Sequence, residues 1–312
     1  MANFYAMVTG DDFAISLAPF QEHTGTDNFP KQYSAFHSMQ EQIENEYNTL
    51  SVPAVVMPDG SIKMPDDSAF VVKNSGFPPT YHVPEHLQQR EVPFKELYSS
   101  LEQFAFEWHG LFEPDPETGL YGYWTNPNGK WDRYALGGHY AGTLKLRAGA
   151  SGRLGPRFAG QASIREGYVD SCYIEEIDVV AMREEARNNA ANRYNQFYSI
   201  LNGRELPDMD KLRTQFGADT VELKLAYQKH PVVLELSEVT SGLPLACEEY
   251  RVDFDTYLQN AYDEALVPYA FVHKDVWYSQ ENLTMSEWTK KFERIFNNLP
   301  PDTLINVVSC HT

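Results

Sequence analysis

The sequence predicts an α+β fold: a mostly antiparallel sheet joining the N- and C-terminal strands, packed with several helices and carrying a proline-rich irregular insertion. Three observations predict it. Apolar, strand-like segments stand at both ends of the chain, Phe4–Val8 and Thr303–Ser309. The strongest helical patterns are gathered between residues 179 and 266 rather than alternating with strands, which argues against a doubly wound parallel sheet. Seven prolines between Val52 and Pro93 forbid a long helix there.

The elements follow in order. Phe4–Val8 reads as a short buried strand ending at the turn Thr9-Gly10-Asp11-Asp12, and Pro19 limits any helix over Phe13–Phe20. Ser38–Tyr47 is a short helix rich in Glu and Gln. The stretch broken by Pro53, Pro58, Pro65, Pro78, Pro79, Pro84 and Pro93 is an irregular layer of short strands and loops. Leu97, Leu101, Phe104 and Trp108 give Phe94–Trp108 a helical stripe. Leu120–Trp124 and Tyr140–Leu146 read as strands, with a glycine-rich loop over Gly149–Gly160.

The clearest helix spans about Val179–Leu201, with Asp178 placed to cap its start and Gly203 just past its end. A second helical stretch, Met209–Gln228, is interrupted near Gly217. Val232–Leu236 is β-like, and Phe254–Leu266 is helical. Val267–Val272 and Val276–Tyr278 form a hairpin. Thr284 and Glu287 make a capping box for a helix whose buried face is Met285, Trp288, Phe292 and Ile295, stopped by Pro300-Pro301. The expected organisation is one discontinuous domain. Residues 1–50 and 250–312 form its sheet core, 51–120 the proline-rich layer, 121–175 a glycine-rich basic region and 176–249 a helical region.

With 312 residues, 42% hydrophobic and 22% charged, the chain is globular in composition. No apolar run approaches the roughly 20 residues that cross a bilayer, and the start lacks signal-peptide features, so a cytoplasmic location without membrane partners is expected. Cys172, Cys247 and Cys310 are far apart and odd in number, so reduced thiols are expected. A net charge of −19 disfavours direct nucleic-acid binding by the molecule as a whole, and suits either a solvated acidic surface or an acidic nucleic-acid mimic.

The average conceals a local reversal. Lys130, Arg133, Lys145, Arg147, Arg153, Arg157 and Arg165 share their stretch with one acid, Asp132, a net +6 that leaves −25 for the remainder. Such an island attracts a phosphate-bearing ligand or an acidic partner, or else it pairs with the chain's own excess acids.

Within it, residues 126–142 read NPNGKWDRYALGGHYAG. Asn126 opens a turn that presents Lys130, Trp131, Asp132 and Tyr134, and Gly137-Gly138 can let a backbone N–H nest approach an anion. These residues, with Gly137, Gly138, His139, Arg147, Arg153 and Arg157, form the expected binding surface; Asp132 and His139 are the candidate acid or base.

No phosphate loop, GxGxxG fingerprint, nucleophile elbow or HExxH is present, and no cofactor is indicated. Pro84 spoils His82 and His86 as a helical metal pair, so no metal site is expected. Asp11-Asp12 suits a turn better than a cation site. Cys310 and His311 point to opposite faces of a strand, which fits a packed thiol and a surface imidazole better than a nucleophile–base pair.

Several segments together resemble a family of uncharacterised tailed-phage and prophage proteins. Phe4–Val8, Gly10-Asp11-Asp12 and Leu17-Ala18-Pro19-Phe20 are similar to its opening. Asn126, Pro127, Lys130, Trp131, Asp132, Tyr134, Gly137, Gly138 and Gly142 match its central motif. Leu299, Pro300, Asp302, Thr303, Leu304, Val307, Val308, Cys310 and His311 match its ending. Two departures stand out: His139-Tyr140 replaces Arg-Trp, and Ser309 replaces Asp. The resemblance implies an accessory protein acting in the cytoplasm of an infected bacterial cell, in host takeover or counter-defence. Its partner would be a host or defence protein, or a nucleotide-type signal. An enzyme acting on a phosphate-bearing substrate and a purely structural role are the alternatives.

Overall fold

The structure, a computed structural model, describes residues 3–22, 31–72, 80–157, 163–218, 220–237, 239–240 and 243–312. Pro78, Pro79 and Gly160 lie outside the described residues. By internal contacts the chain forms two compact units, Met1–Gln21 with Lys130–Thr312, and Glu22–Gly129. The proline-rich layer expected over 51–120 falls inside the second unit.

In chain order, β1 (Asn3–Thr9) is followed by α1 (Phe13–Leu17), where Asp12 accepts a hydrogen bond from the Ile15 N–H at 3.2 Å. The second unit then contributes β2 (Ala35–Ser38), α2 (Gln40–Thr49), β3 (Ser51–Val56), β4 (Ile62–Lys63), β5 (Gln88–Pro93), α3 (Phe94–Leu97), α4 (Leu101–His109) and β6 (Gly122–Thr125). Here β2 pairs with β6, and β3 lies between β4 and β5. Pro53 is accommodated in β3 because β4 reaches only Val55 and Val56, leaving Pro53 one open edge that tolerates a missing N–H.

One helix expected over Phe94–Trp108 is two. The chain breaks after Leu97, and Ser100 caps α4 by accepting from the Gln103 N–H at 3.2 Å. A polar residue able to satisfy an orphan N–H ended one helix and began another. Phe94 and Phe104 still meet, 4.6 Å between ring centroids, in a core with Ile43, Tyr98 and Tyr121.

The first unit resumes with β7 (Arg133–Leu136), β8 (Leu144–Lys145), β9 (Tyr168–Val169) and β10 (Ser171–Tyr173). The strand expected over Tyr140–Leu146 shrinks to β8, because Gly138–Tyr140 forms a 3-10 turn and Gly142 takes φ +73. Helix α5 (Val179–Leu201) matches its predicted bounds, with Asp178 accepting from the Ala181 N–H at 3.0 Å. Then come α6 (Met209–Phe216) and α7 (Val221–Gln228), split at Gly217, and α8 (Pro231–Glu235). The β-like Val232–Leu236 is therefore mostly helical: Pro231 sets the first-turn φ, and the short helix buries Val232 and Val233.

After α9 (Phe254–Glu264), β11 (Ala270–His273) and β12 (Val276–Ser279) form the expected hairpin, turned by Lys274 and Asp275 at φ 50 and 60. The capping box of α10 (Met285–Phe296) is present. The helix buries Trp288, Thr289, Phe292 and Phe296, while Ile295 is half-buried and Met285 stays exposed. Finally β13 (Leu304–His311) closes the chain.

The main sheet runs β10–β13–β1–β11–β12, with β7 also pairing with β13. All its pairings are antiparallel except β1 with β11. The two terminal strands are thus central neighbours, Ala6 opposite Val308. One face packs Met7, Phe271 and Val307 against Trp288, Phe292 and Phe296 of α10. The other packs Ala6, Val8, Val308 and Cys310 against Leu17, Phe20 and Trp131. Each such fully buried large side chain contributes about 1.5–3 kcal/mol. Among the described residues no helix is long and apolar enough to cross a membrane.

Candidate functional site

The predicted binding segment is built around the edge of the main sheet. Asn126 belongs to the second unit, where its carbonyl accepts from the Gly129 N–H at 2.9 Å and closes the turn. Lys130 begins the return to the first unit and pairs with Glu281 at 3.0 Å. Trp131 is not part of a binding face. It is buried, donates its indole N–H to the Leu17 carbonyl at 3.2 Å, and fills the core beneath α1. Its apolar bulk is worth more inside than displayed. Tyr134 leans edge-on against it at 4.9 Å with its own ring partly exposed.

The glycine pair answers a different need from the one expected. Gly137 and Gly138 take φ +68 and +52, a conformation glycine adopts freely. A Cβ on Gly137 would strike the Asp170 carboxylate, and one on Gly138 would lie 2.5 Å from the Ser309 Cβ. The anion at this corner is the chain's own. Asp170 is fully buried and accepts from the Gly142 N–H at 2.6 Å and the Gly155 N–H at 2.8 Å. Its backbone N–H reaches the Arg153 carbonyl, and its carbonyl receives the Val307 N–H at 2.7 Å. A buried carboxylate persists only with such donors. The glycines therefore pack a loop tightly around Asp170.

One chemical pair emerges that local reading missed. Pairing of β7 with β13 sets Arg133 opposite His311, and His311 Nδ1 stands 2.7 Å from Asp132 Oδ1. Both side chains are mostly buried, so His311 is not the surface imidazole expected. A carboxylate only accepts, so the Nδ1 proton donates to Asp132. Arg133 Nη2 lies 3.3 Å from both ring nitrogens and can donate to Nε2 only while the ring is neutral. Burial alone would raise the Asp132 carboxyl, but the His311 hydrogen bond and charge and the Arg133 charge outweigh it and hold it below the ordinary value. The neighbouring thiol is no nucleophile: burial pushes Cys310 up to about 12.

The cationic island is largely spent internally. Lys145 and Arg165 both pair with Glu185, which also accepts from the Tyr168 hydroxyl. Arg165 covers the Tyr168 ring at 4.0 Å. Arg147 donates to the Ile177 carbonyl at 3.1 Å, and Arg153 reaches the Ser171 hydroxyl at 3.5 Å. Arg157 is exposed, and so is His139, which makes no hydrogen bond or ion pair among the described residues. The imidazole beside Asp132 is that of His311, not His139.

A cleft of about 1000 Å³ lies elsewhere, between α5, α9 and the 3-10 segment Pro244–Arg251. Asn189 and Asn192 of α5, Asn260 and Glu264 of α9, and Glu249 line it. Burial, with Glu249 and Asp263 beside it, raises the Glu264 carboxyl above its ordinary value. Its signal in the sequence is a repeat of small and amide residues, Ala186, Asn189 and Asn192 on one helix and Tyr257, Asn260, Ala261 and Glu264 on the other, at helical spacing. Among the described residues no group of three or more His, Cys, Asp or Glu is gathered for a metal. No family model matches the chain, and neither a curated protein nor a solved structure is similar to it.

Proposed function

We propose that this protein acts by binding, as a phage-type intracellular accessory factor directed at a basic, nucleic-acid-handling host or defence component. One observation carries the reading. The cations that promised a phosphate site are largely held by the chain's own groups, Lys130 by Glu281 and Lys145 and Arg165 by Glu185. With the island paired internally, it offers little positive field of its own, and the net charge of −19 favours a basic partner. The glycine corner, the best candidate for a nucleotide phosphate, already holds Asp170.

The alternative of an enzyme on a phosphate-bearing substrate draws support from the Asp132–His311 pair, since a carboxylate-oriented imidazole is a common acid–base unit. The Arg133 guanidinium beside that ring opposes it by occupying the second nitrogen.

The deciding experiment titrates the purified chain into basic bacterial DNA-binding proteins preloaded on labelled duplex DNA. Displacement of DNA from at least one of them, weakening steeply as salt rises, is the expected outcome. A chain that displaces no DNA, yet whose melting temperature rises with nucleotides, belongs to the enzyme reading instead.

A further inference from the structure

The α5–α9 cleft differs from the rest of the surface in what its polar groups do. Of the three carboxylates lining it, Glu248 is committed, accepting from Arg251 Nε at 2.7 Å and from the Tyr227 hydroxyl at 2.6 Å. The Glu249 and Glu264 carboxylates make no hydrogen bond or ion pair among the described residues, and neither do the side-chain amides of Asn189, Asn192 and Asn260. Among the described residues Arg193 is the one cation lining the cleft, against three carboxylates. Glu264 is only partly exposed, in contrast to Glu249.

The remaining wall is apolar. Ala186, Ala261 and Ala265 leave room, and Tyr257 adds an aromatic ring tied into the stack with Tyr250 at 4.9 Å. Met285 belongs here too: the residue that the helical pattern assigned to the buried face of α10 turns its flexible thioether into this cleft. A cavity of this size with an apolar wall and a few convergent polar groups has the make-up of a ligand site.

We propose that the cleft binds an organic cation, an ammonium or guanidinium group on an apolar body, with Glu264 as its counter-ion. The three asparagine amides would serve as hydrogen-bond partners, and Tyr257 and Met285 would lie against the apolar part. A cation at this place relieves the repulsion that Glu249 and Asp263 impose on Glu264. An aromatic ring next to carboxylates suits a cation on both counts. The inference deepens the preceding reading where the cation is a side chain of a basic partner, and stands apart from it where the cation is a free small molecule.

Calorimetric titration with two probes tests it: agmatine for the free cation, and an arginine-containing basic peptide for the partner's side chain. Binding of either at about millimolar affinity or tighter is expected, weakened about tenfold or more by Glu264→Gln. Glu117→Gln, a carboxylate outside the lining, should leave it unchanged. Agmatine alone binding assigns a small molecule; the peptide alone binding assigns a partner's side chain. Asn260→Ala repeats the test if circular dichroism shows Glu264→Gln misfolded. Silence from both probes, or equal affinity in wild type and the cleft variants, overturns the proposal. DNA displacement that survives Glu264→Gln would leave the basic-partner reading standing and remove the cleft from it.

Discussion

Two regions of this molecule exchange the roles that their sequences suggest. The glycine corner at Gly137–Gly138 has the composition of a ligand site, yet its donors and its carboxylate satisfy one another, and most of the neighbouring cations are held elsewhere in the chain. The α5–α9 cleft has the composition of two ordinary amphipathic helices, yet the Glu249 and Glu264 carboxylates are left without partners among the described residues. The contrast teaches that the presence of reactive groups says less than their degree of satisfaction. Satisfied groups hold a fold together; unsatisfied ones in a cavity await something.

The largest expected effect falls on the corner. Asp170→Ala leaves the Gly142 and Gly155 N–H groups unpaired in a buried place. It should cost about 3 kcal/mol or more, read as a lower midpoint in chemical denaturation. Gly137→Ala should act in the same direction, since its Cβ would meet the same carboxylate. Retention of full stability by Asp170→Ala would return the corner to the list of ligand sites.

A middle-sized effect belongs to the Asp132–His311 pair. Asp132 is held below its ordinary value in the folded state, so its stabilisation is complete above the unfolded carboxylate range. That stabilisation is lost as pH falls through the lower folded value. Asp132→Asn should cost about 1 kcal/mol at neutral pH and less at the acid end, flattening part of the acid limb of a melting-temperature profile. A parallel profile would separate the pair from stability and strengthen its claim to chemistry.

The smallest effect has the opposite sign. Glu264 is raised in the folded state, so it favours folding most below the unfolded value and loses that advantage as pH rises through its folded value. At neutral pH Glu264→Gln therefore removes a like-charge burden and should raise the melting temperature slightly. A fall would mean that Glu264 has a partner in solution, and would bring the cleft closer to the glycine corner in character.

Much of the fold was legible because it is local. The bounds of α5 follow from its apolar spacing, from the Asp178 cap and from chain reversal past Leu201. Thr284 and Glu287 announced α10, and the Lys274-Asp275 turn sits where the hairpin pattern placed it. Failures were local signals outweighed by a competing one: Ser100 dividing a helical stripe, and Pro231 drawing a β-branched run into a helix. The candidate site was legible only as a composition. Lys130, Asp132 and the glycines were found, but Asp170 was overlooked as one acid between the apolar Val169 and the β10 segment. His311 joins Asp132 across 179 residues of chain.

The residues themselves thus determined the fold class, the helix caps and the excess of negative charge, because each depends on neighbours a few positions away or on a simple count. Which charges are spent and which are free was decided only by tertiary structure. A carboxylate takes whatever donors the folded chain brings within about 3 Å, and those arrive from any distance along the sequence. Asp170 met two backbone N–H groups and became part of the scaffold. Glu264 met other acids and was left open in the α5–α9 cleft.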